Sequence, residues 1–211
     1  MDKQLVAFLD RFGVPKTYSA GSMIFRQGDI EDCMYFIRDG VALVATVNPD
    51  GRERNVLISW PEQFSGLATF FEGGPHRTSA VALVDCQVVV IHREAFTRCC
   101  AEFPEIWGLI AHELSHEVGL LLEQTVDSTL MSAEERVARF FVRRYADGHC
   151  TVTEEGVEMD FTQAFIAQVL GLSRWAVNQA VSAMKEKGWL TTRYKKILIR
   201  DMDAMLKFSA Q

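Results

Sequence analysis

Long apolar runs are missing from this chain of 211 residues, and so is an ordered set of cysteines. No apolar stretch approaches the roughly 20 residues that a membrane-spanning helix needs. The first residues, MDKQLVAFLDRFG, lack the basic-then-apolar layout of a secretion signal and show a helical apolar pattern at Leu5, Phe8 and Leu9. The five cysteines include no C-x-x-C pair, and the neighbours Cys99 and Cys100 are poorly placed for a disulfide. We therefore expect a cytoplasmic protein with no membrane segment.

An overall basic charge is also missing, since 22 Lys and Arg stand against 28 Asp and Glu and the formal net charge is −6. The charges are unevenly distributed, however. Between Phe161 and Arg200 seven basic residues accompany a single acid, Glu186, whereas residues 1–160 carry 14 basic and 25 acidic residues. This asymmetry predicts an acidic body with a basic contact surface. The alternatives are a solvated basic face and a β-scaffold that binds partners other than DNA.

Short apolar runs separated by turn residues occupy the chain from Gly21 to about Phe96. The runs are SMIF, CMYFI, VALVATV, NVLI, TSAVAL and CQVVVI. Asp50-Gly51 lies between two of them and predicts a hairpin with a type I′ turn, in which both central residues have positive φ. Many short strands at this spacing predict an antiparallel sandwich or jelly roll.

From Pro104 to about Leu130 turn residues become rare, and apolar residues recur at three-to-four-residue intervals, which is typical of an amphipathic helix. The apolar stripe comprises Ile106, Ile110, Leu114, Val118 (or Glu117) and Leu121. At 1.5 Å per residue the helix would be roughly 38 Å long, about the span of a small domain. One chain would cover such a helix poorly, so we predict a homodimer interface.

A new unit begins near Ser132, where Ser132-Ala-Glu-Glu135 fits a capping box. The helix RVARFFVRRYA follows, and CTVTEEGVEMDF predicts a hairpin. WLTTRYKKILIRD predicts two short strands around a basic tip. The predicted fold class is therefore α+β, with an antiparallel β-roll and long dimerisation helix at 1–130 and a winged helix-turn-helix at 131–211.

Two helices joined by a short turn lie inside this unit. Thr162 is the predicted N-cap of QAFIAQVL, Gly171 ends that helix, and Ser173 caps the next, RWAVNQAVSAMKEK. Such a turn sets the second helix steeply against the first, so that its first residues can enter a DNA major groove. An ordinary αα-hairpin uses the same turn chemistry. The predicted DNA-binding residues are Thr162, Ser173, Arg174, Trp175, Asn178, Gln179 and Lys195.

With these motifs the chain resembles the Crp–Fnr family of bacterial transcription regulators, over essentially its whole length. The matching segments are FTQAFIAQVLGLSRWAVNQAVSAMKEKGWL, as in the family's helix-turn-helix, and GSMIFRQGDIEDCMYFIRDGVALV, as in a cyclic-nucleotide-binding β-roll. The resemblance implies a homodimeric transcription regulator and not an enzyme. It implies double-stranded DNA with a near-palindromic site as partner, Arg174 as the guanine-contacting residue, and RNA polymerase as a further candidate partner.

The segment FSGLATFFEGGPHRT departs from the cassette that holds the phosphate and ribose in cAMP-responsive members. Leu67 replaces the glutamate that would bind the ribose hydroxyl, at a cost of roughly 1–3 kcal/mol, and Leu121-Leu122 replace a polar pair that contacts adenine. We therefore predict an effector other than cAMP, apolar or carboxylate-bearing, bound between roll and long helix, or no effector. The candidate effector-binding residues are Gly66, Leu67, Phe70, Arg77, Thr78, Leu121 and Leu122.

The segment RWAVNQ at the start of the second helix also departs from both main branches of the family. It has neither the glutamate that would accept from cytosine nor a second arginine, so we expect a different DNA site. Three roles stay open for Trp175: stacking on the sugar–phosphate backbone, contact with a thymine methyl group, and packing against the neighbouring unit.

Two other chemistries compete with this interpretation. His112-Glu113-Leu114-Ser115-His116 matches H-E-x-x-H, the signature of a zinc metallohydrolase, but it lies on the predicted dimer helix and has no third ligand at a diagnostic spacing. Haem is a candidate cofactor, as some family members bind it, and Cys99 or Cys100 could sense redox state. The candidate axial ligands are His76, His92, His112 and His116.

Overall fold

The computed structural model describes residues 3–194 and 196–209, and the chain divides into two compact units after Leu122. The division falls inside the long helix, before the boundary expected at residue 130.

The elements up to the long helix are α1 (Lys3–Phe12), β1 (Val14–Tyr18), β2 (Met23–Phe25), β3 (Cys33–Asp39), β4 (Ala42–Val47), β5 (Glu53–Ser59), β6 (Gln63–Ser65), α2 (Leu67–Glu72), β7 (Ser79–Ala82), β8 (Cys86–His92), α3 (Arg93–Glu102) and α4 (Ile106–Leu130). The remaining elements are α5 (Ala133–Ala146), β9 (Thr151–Thr153), β10 (Gly156–Met159), α6 (Gln163–Leu170), α7 (Arg174–Glu186), β11 (Leu190–Arg193), β12 (Lys196–Ile199) and α8 (Met202–Ser209).

The first unit is the predicted antiparallel β-roll. Its strands form two four-stranded sheets, in the orders β1-β8-β3-β6 and β2-β7-β4-β5, and every pairing is antiparallel. The second unit carries a third sheet, in the order β11-β12-β10-β9, beside helices α5 to α8. The predicted α+β fold class, including the long helix, is confirmed.

Strands β3 and β8 are buried on both faces. In β3, Tyr35 and Ile37 contribute to an apolar cluster between the two sheets, whereas Met34 and Phe36 contribute to a second cluster with the helices. A strand that is covered on both sides has no polar face. This explains why these two segments are almost continuously apolar in sequence, without the alternation of a half-exposed strand.

The hairpin between β4 and β5 is present, but the predicted type I′ turn is wrong. Among the described residues, Glu62 is the only non-glycine with positive φ, so Asp50 does not have the conformation that a type I′ turn requires. Pro49 precedes it and has φ fixed near −65°. The amide of Gly51 (φ 78°) donates to the Asn48 carbonyl at 2.9 Å, which closes the turn around Pro49 instead.

The predicted capping box at the start of α5 is confirmed. The amide of Glu135 donates to the hydroxyl of Ser132, and the Glu135 carboxylate accepts from the Ser132 amide at 2.7 Å. Just before it, buried Asp127 near the end of α4 accepts from Arg139 and forms an ion pair with Arg143 at 3.3 Å. The segment from Asp127 to Ser132 is therefore anchored to α5 at its first residue and is helical up to Leu130.

An isolated imidazole lies inside the β-roll. His76 is 2% exposed, and its ring stacks on Phe25 with centroids 4.3 Å apart. Neither ring nitrogen has a hydrogen-bond partner within the described part of the chain, and the carboxylate of Glu31 is 3.7 Å from Nε2. Burial lowers the pKa of His76 below its ordinary value, and the nearby Glu31 opposes this only in part.

Lower pH should therefore decrease the stability of the folded roll, because His76 resists protonation in the native state. As pH falls through the ordinary value of about 6.5, the unfolded chain binds a proton that the native imidazole resists, so the free energy of unfolding should fall. In His76→Gln this part of the fall should disappear, as measured by urea denaturation on either side of that pH. His112→Gln removes an exposed histidine and is the matched control. Equal slopes for wild type and His76→Gln would contradict the assignment.

Candidate nucleic-acid interface

The turn between α6 and α7 is fixed by a glycine conformation, a backbone hydrogen bond and a side-chain hydrogen bond. Gly171 is left-handed (φ 61°), the conformation that glycine adopts at no steric cost. The amide of Leu172 then donates back to the Ala167 carbonyl at 3.0 Å, which closes the helix end. From α5, the guanidinium of Arg136 donates to the Leu170 carbonyl at 2.6 Å. The direction of α7 relative to α6 is therefore set by glycine conformation, a backbone bond and a side-chain cap together.

Thr162 and Ser173 are both N-caps, as predicted. The Thr162 hydroxyl accepts from the Phe165 amide, and the Ser173 hydroxyl accepts from the Ala176 amide, each at 3.1 Å. Each hydroxyl keeps a hydrogen that it can donate to an anion. The two predicted DNA-binding residues thus have a structural role in forming the helices whose ends they occupy.

One face of α7 is buried and the other is open. The buried side chains are Val177, Ala180, Val181 and Met184, which share the core of this unit with Ile166 and Val169 of α6. The four residues predicted to face outward are all exposed: Arg174, Trp175, Asn178 and Gln179. The helical periodicity of the sequence therefore places them on the correct face.

Asn178 is not an isolated amide, however. Its Nδ2 donates to Oε1 of Gln163 at 3.1 Å, which joins the outer surfaces of α6 and α7. Asn178 as a whole is still exposed. Sequence reasoning missed this bond, because it depends on the angle between the helices rather than on either helical pattern.

Acidic neighbours neutralise much of the basic segment. Arg193 on β11 donates to Glu155, and Lys196 on β12 pairs with Glu158 at 2.5 Å and with Asp160 at 3.1 Å. The hydrogen bonds that Lys196 donates to these carboxylates raise its pKa. The wing hairpin is therefore less positive than its own sequence indicates.

Other basic residues of the segment, among them the one that begins α7, are not neutralised within the described part of the chain. Arg174, Lys185 and Arg200 have no ion-pair partner among the described residues, whereas Lys187 pairs with Glu134 at 2.5 Å. The first turn of α7 contains no acid. Lys195, predicted to contact DNA from the wing tip, lies outside the described residues. The uncompensated charge that can meet a polyanion is thus carried in part by Arg174, at the helix end whose backbone amides also favour anions.

The predicted effector residues do not form one environment. Leu67 and Phe70 are 1% and 0% exposed and belong to the core cluster with the helices, so neither faces an open cleft. Arg77 is exposed and pairs with Glu72 at 2.7 Å, while Leu122 is 64% exposed. Thr78 and Leu121 are half-buried.

Gly66 has a steric requirement of its own. Its φ is 80°, and a Cβ there would lie 3.4 Å from the Tyr35 ring and 3.5 Å from the His76 ring. The glycine that matches the family's cassette therefore lies directly over the buried imidazole of the roll.

The apolar stripe of α4 divides into two parts. Ile106 and Ile110 are buried in the core of their own unit, and Leu114 is partly buried against it. Val118 and Leu122 are 55% and 64% exposed. The first half of the stripe is therefore internal, and an interface with another chain could use only the later positions.

The zinc and thiol alternatives find little support in the geometry, and haem binding stays a prediction. No group of three or more His, Cys, Asp or Glu that could hold a metal ion occurs within residues 3–194 and 196–209, and His112 is exposed on α4. Burial raises the pKa of Cys99 to about 11, so its thiol is protonated at neutral pH and a poor nucleophile. Burial also raises the pKa of Cys100.

In the same described ranges, no helix combines the length and apolar character needed to cross a membrane.

Comparison with known proteins gives two family matches in this order along the chain. Residues 15–103 match the cyclic nucleotide-binding domain, and residues 135–208 match the Crp-like helix-turn-helix domain. The CRP-like cAMP-activated global transcriptional regulator of Mycobacterium tuberculosis is 27% identical, over 98% of this chain and 93% of that protein. The nitrogen fixation regulation protein FixK of Azorhizobium caulinodans is 26% identical, over 98% of this chain and 82% of that protein.

Solved structures show the same fold. FixK2 from Bradyrhizobium japonicum superimposes with a TM-score of 0.80 at 19% identity, covering 94% of this chain and 98% of that one. The c-di-GMP responsive regulator CLP of Xanthomonas campestris gives a TM-score of 0.75 at 17% identity, covering 93% and 97%. The comparisons indicate a transcription regulator and not an enzyme, which removes the zinc-hydrolase alternative. The chain belongs to the Crp–Fnr family of transcription regulators.

Proposed function

We propose that this protein is a homodimeric regulator that recognises a near-palindromic DNA site with the first turn of α7. The observation that carries the proposal is the exposed guanidinium of Arg174, which has no ion-pair partner in the part of the chain that the structure describes and lies at the start of a helix whose first turn has no acid. Arginine can donate two parallel hydrogen bonds to O6 and N7 of guanine, the commonest specific contact in the major groove. Asn178 and Gln179 lie on the same exposed face and suit adenine.

Contacts to the phosphate backbone would fix the position of the helix. The hydroxyls of Thr162 and Ser173 can each donate one hydrogen bond to a phosphate, and the helix ends that they cap are electropositive. Lys195 at the wing tip is a further candidate phosphate contact. Such contacts set register and orientation, whereas base contacts from α7 set the sequence preference. A cytoplasmic location and contact with RNA polymerase accord with this role.

Loss of the guanidinium should weaken specific binding. Arg174→Ala should cost about 1–3 kcal/mol of binding free energy and relax the preference at one base pair in each half-site. A gel shift on the DNA upstream of the protein's own coding sequence, together with a selection from random duplexes, measures both effects. Arg52→Ala removes an exposed arginine from a hairpin of the roll and is the matched control. Equal affinity and equal preference in Arg174→Ala and wild type would contradict the groove contact.

Dimerisation is proposed through the exposed part of the α4 stripe. Regulators of this family are typically dimers, and a two-fold site needs two copies of α7. Val118 and Leu122 are one helical turn apart and remain exposed within the chain, so a second α4 packed against them would remove their side chains from water.

A charge in this stripe should separate the subunits. Leu122→Asp places two carboxylates near the two-fold axis and should raise the dimer dissociation constant by about 100-fold or more. Sedimentation equilibrium measures the constant directly. Ile30→Asp makes the same kind of change at a loop residue that is 79% exposed, and should leave the dimer intact. If Leu122→Asp associates as strongly as wild type, the interface lies elsewhere.

The effector, where one exists, is proposed to be a molecule other than cAMP. The matching cassette offers Leu67, a core residue, where cAMP receptors place a glutamate, and its arginine is already paired with Glu72. An effector can favour the DNA-competent form only by binding it more tightly than the other form. The name of the mycobacterial relative states cAMP activation for that protein, whereas this chain has Leu67 where cAMP-responsive members place the glutamate.

Addition of cAMP should therefore change neither stability nor DNA affinity. A ligand at about 100 times its Kd stabilises the folded state by about 2.7 kcal/mol, so binding would appear as a clear rise in Tm. Arg77→Ala should respond to cAMP just as wild type does. A rise in Tm that is present in wild type and absent in Arg77→Ala would contradict the proposal.

A further inference from the structure

Trp175 is an exposed aromatic side chain in a unit where several other large rings pack against one another. It is 72% exposed, and no ring contact to it occurs in the described ranges. By contrast, Phe161 stacks on Phe165 with centroids 5.3 Å apart, and Trp189 lies 5.4 Å from Phe208. Packing within the unit therefore does not account for Trp175. Tryptophan is among the residue types that are enriched where proteins contact their partners.

The surroundings of Trp175 indicate the kind of surface that would cover it. It follows Arg174 in the first turn of α7, where the backbone amides are partly positive and no acid is present. The exposed neighbours one turn later, Asn178 and Gln179, are neutral amides. Charge complementarity thus favours a polyanion, and an indole among residues that suit base edges favours duplex DNA over a protein surface.

The chemistry of indole limits the DNA groups that Trp175 can contact. Its large apolar surface has only one donor, Nε1–H, and no acceptor, so it is a weak partner for phosphate oxygens and for the polar edges of guanine, adenine and cytosine. The one apolar group that base pairs present in the major groove is the C5 methyl of thymine. Arg174 precedes Trp175 by one residue, so the two side chains can reach adjacent base pairs.

We propose that Trp175 recognises the methyl group of a thymine beside the guanine that Arg174 contacts, once in each half-site. This inference depends on the proposed DNA-binding function of α7 and assigns a base preference within it. A chain with glutamate here would accept a hydrogen bond from cytosine. With tryptophan at this position we expect a preference for thymine, where a chain with glutamate would prefer cytosine.

The test replaces thymine by uracil, which removes one methyl group and leaves every hydrogen-bonding group unchanged. A site is first obtained by selection from random duplexes, and each thymine of a half-site is then replaced singly by deoxyuridine. Fluorescence anisotropy should show about fourfold weaker binding by wild type at one thymine per half-site, the change expected for one buried methyl group. Trp175→Ala should bind the thymine and uracil duplexes equally, and Trp175→Phe should keep part of the difference.

Two further variants separate this inference from the proposed function. Tyr194→Ala removes another exposed aromatic residue, at the wing tip, and should keep the fourfold difference. Arg174→Ala should bind all duplexes more weakly and yet keep that difference. The inference is overturned if uracil is tolerated at every position, if Trp175→Ala discriminates as wild type does, or if the selected half-sites contain no thymine. Failure of the proposed function would look different, because no site would be selected at all.

Discussion

The left-handed conformation of Gly171 is the constraint on which the candidate interface depends. Any other residue at this position would be strained, and only this conformation lets the Leu172 amide return to the Ala167 carbonyl. Arg136 adds a bond from a third helix to the same helix end. Together these interactions direct the first turn of α7 away from the core, while its buried face holds the helix in place. The exposed Arg174 and Trp175 are consequences of that geometry.

Much of this arrangement could be predicted from the sequence because it depends on local chemistry. Caps at Thr162 and Ser173, the glycine at the helix end and the helical period of α7 are properties of short segments, and all were predicted. The turn after β4 was not, since Pro49 has no amide hydrogen to donate to Arg52 across a two-residue Asp50-Gly51 turn, and the amide of Asn48 makes that bond instead. Strand β1 was missed because it is an exposed edge strand that contains Pro15, and such strands have a weak apolar signal.

What the sequence could not show depends on contacts between distant segments. The burial of Leu67 follows from its position on α2 beside the helix-side core, which no local pattern around FSGLATFF reveals. The bond between Gln163 and Asn178 needs the actual angle between two helices. The pairing of Arg193 with Glu155 joins hairpins that lie far apart in sequence. A count of charges along the chain is therefore a poor measure of the charge that a surface presents.

The ion pairs of the wing have a consequence for how affinity depends on ionic strength. A basic side chain strengthens DNA binding largely because each phosphate that it neutralises releases condensed counterions into solution. Arg193, Lys196 and Lys187 already have carboxylate partners, and each would have to exchange one anion for another. Such an exchange makes a smaller net contribution to counterion release. The affinity for DNA should therefore fall less steeply with added salt than the seven basic residues between Phe161 and Arg200 would suggest. A larger share of the affinity then comes from short-range contacts with the bases.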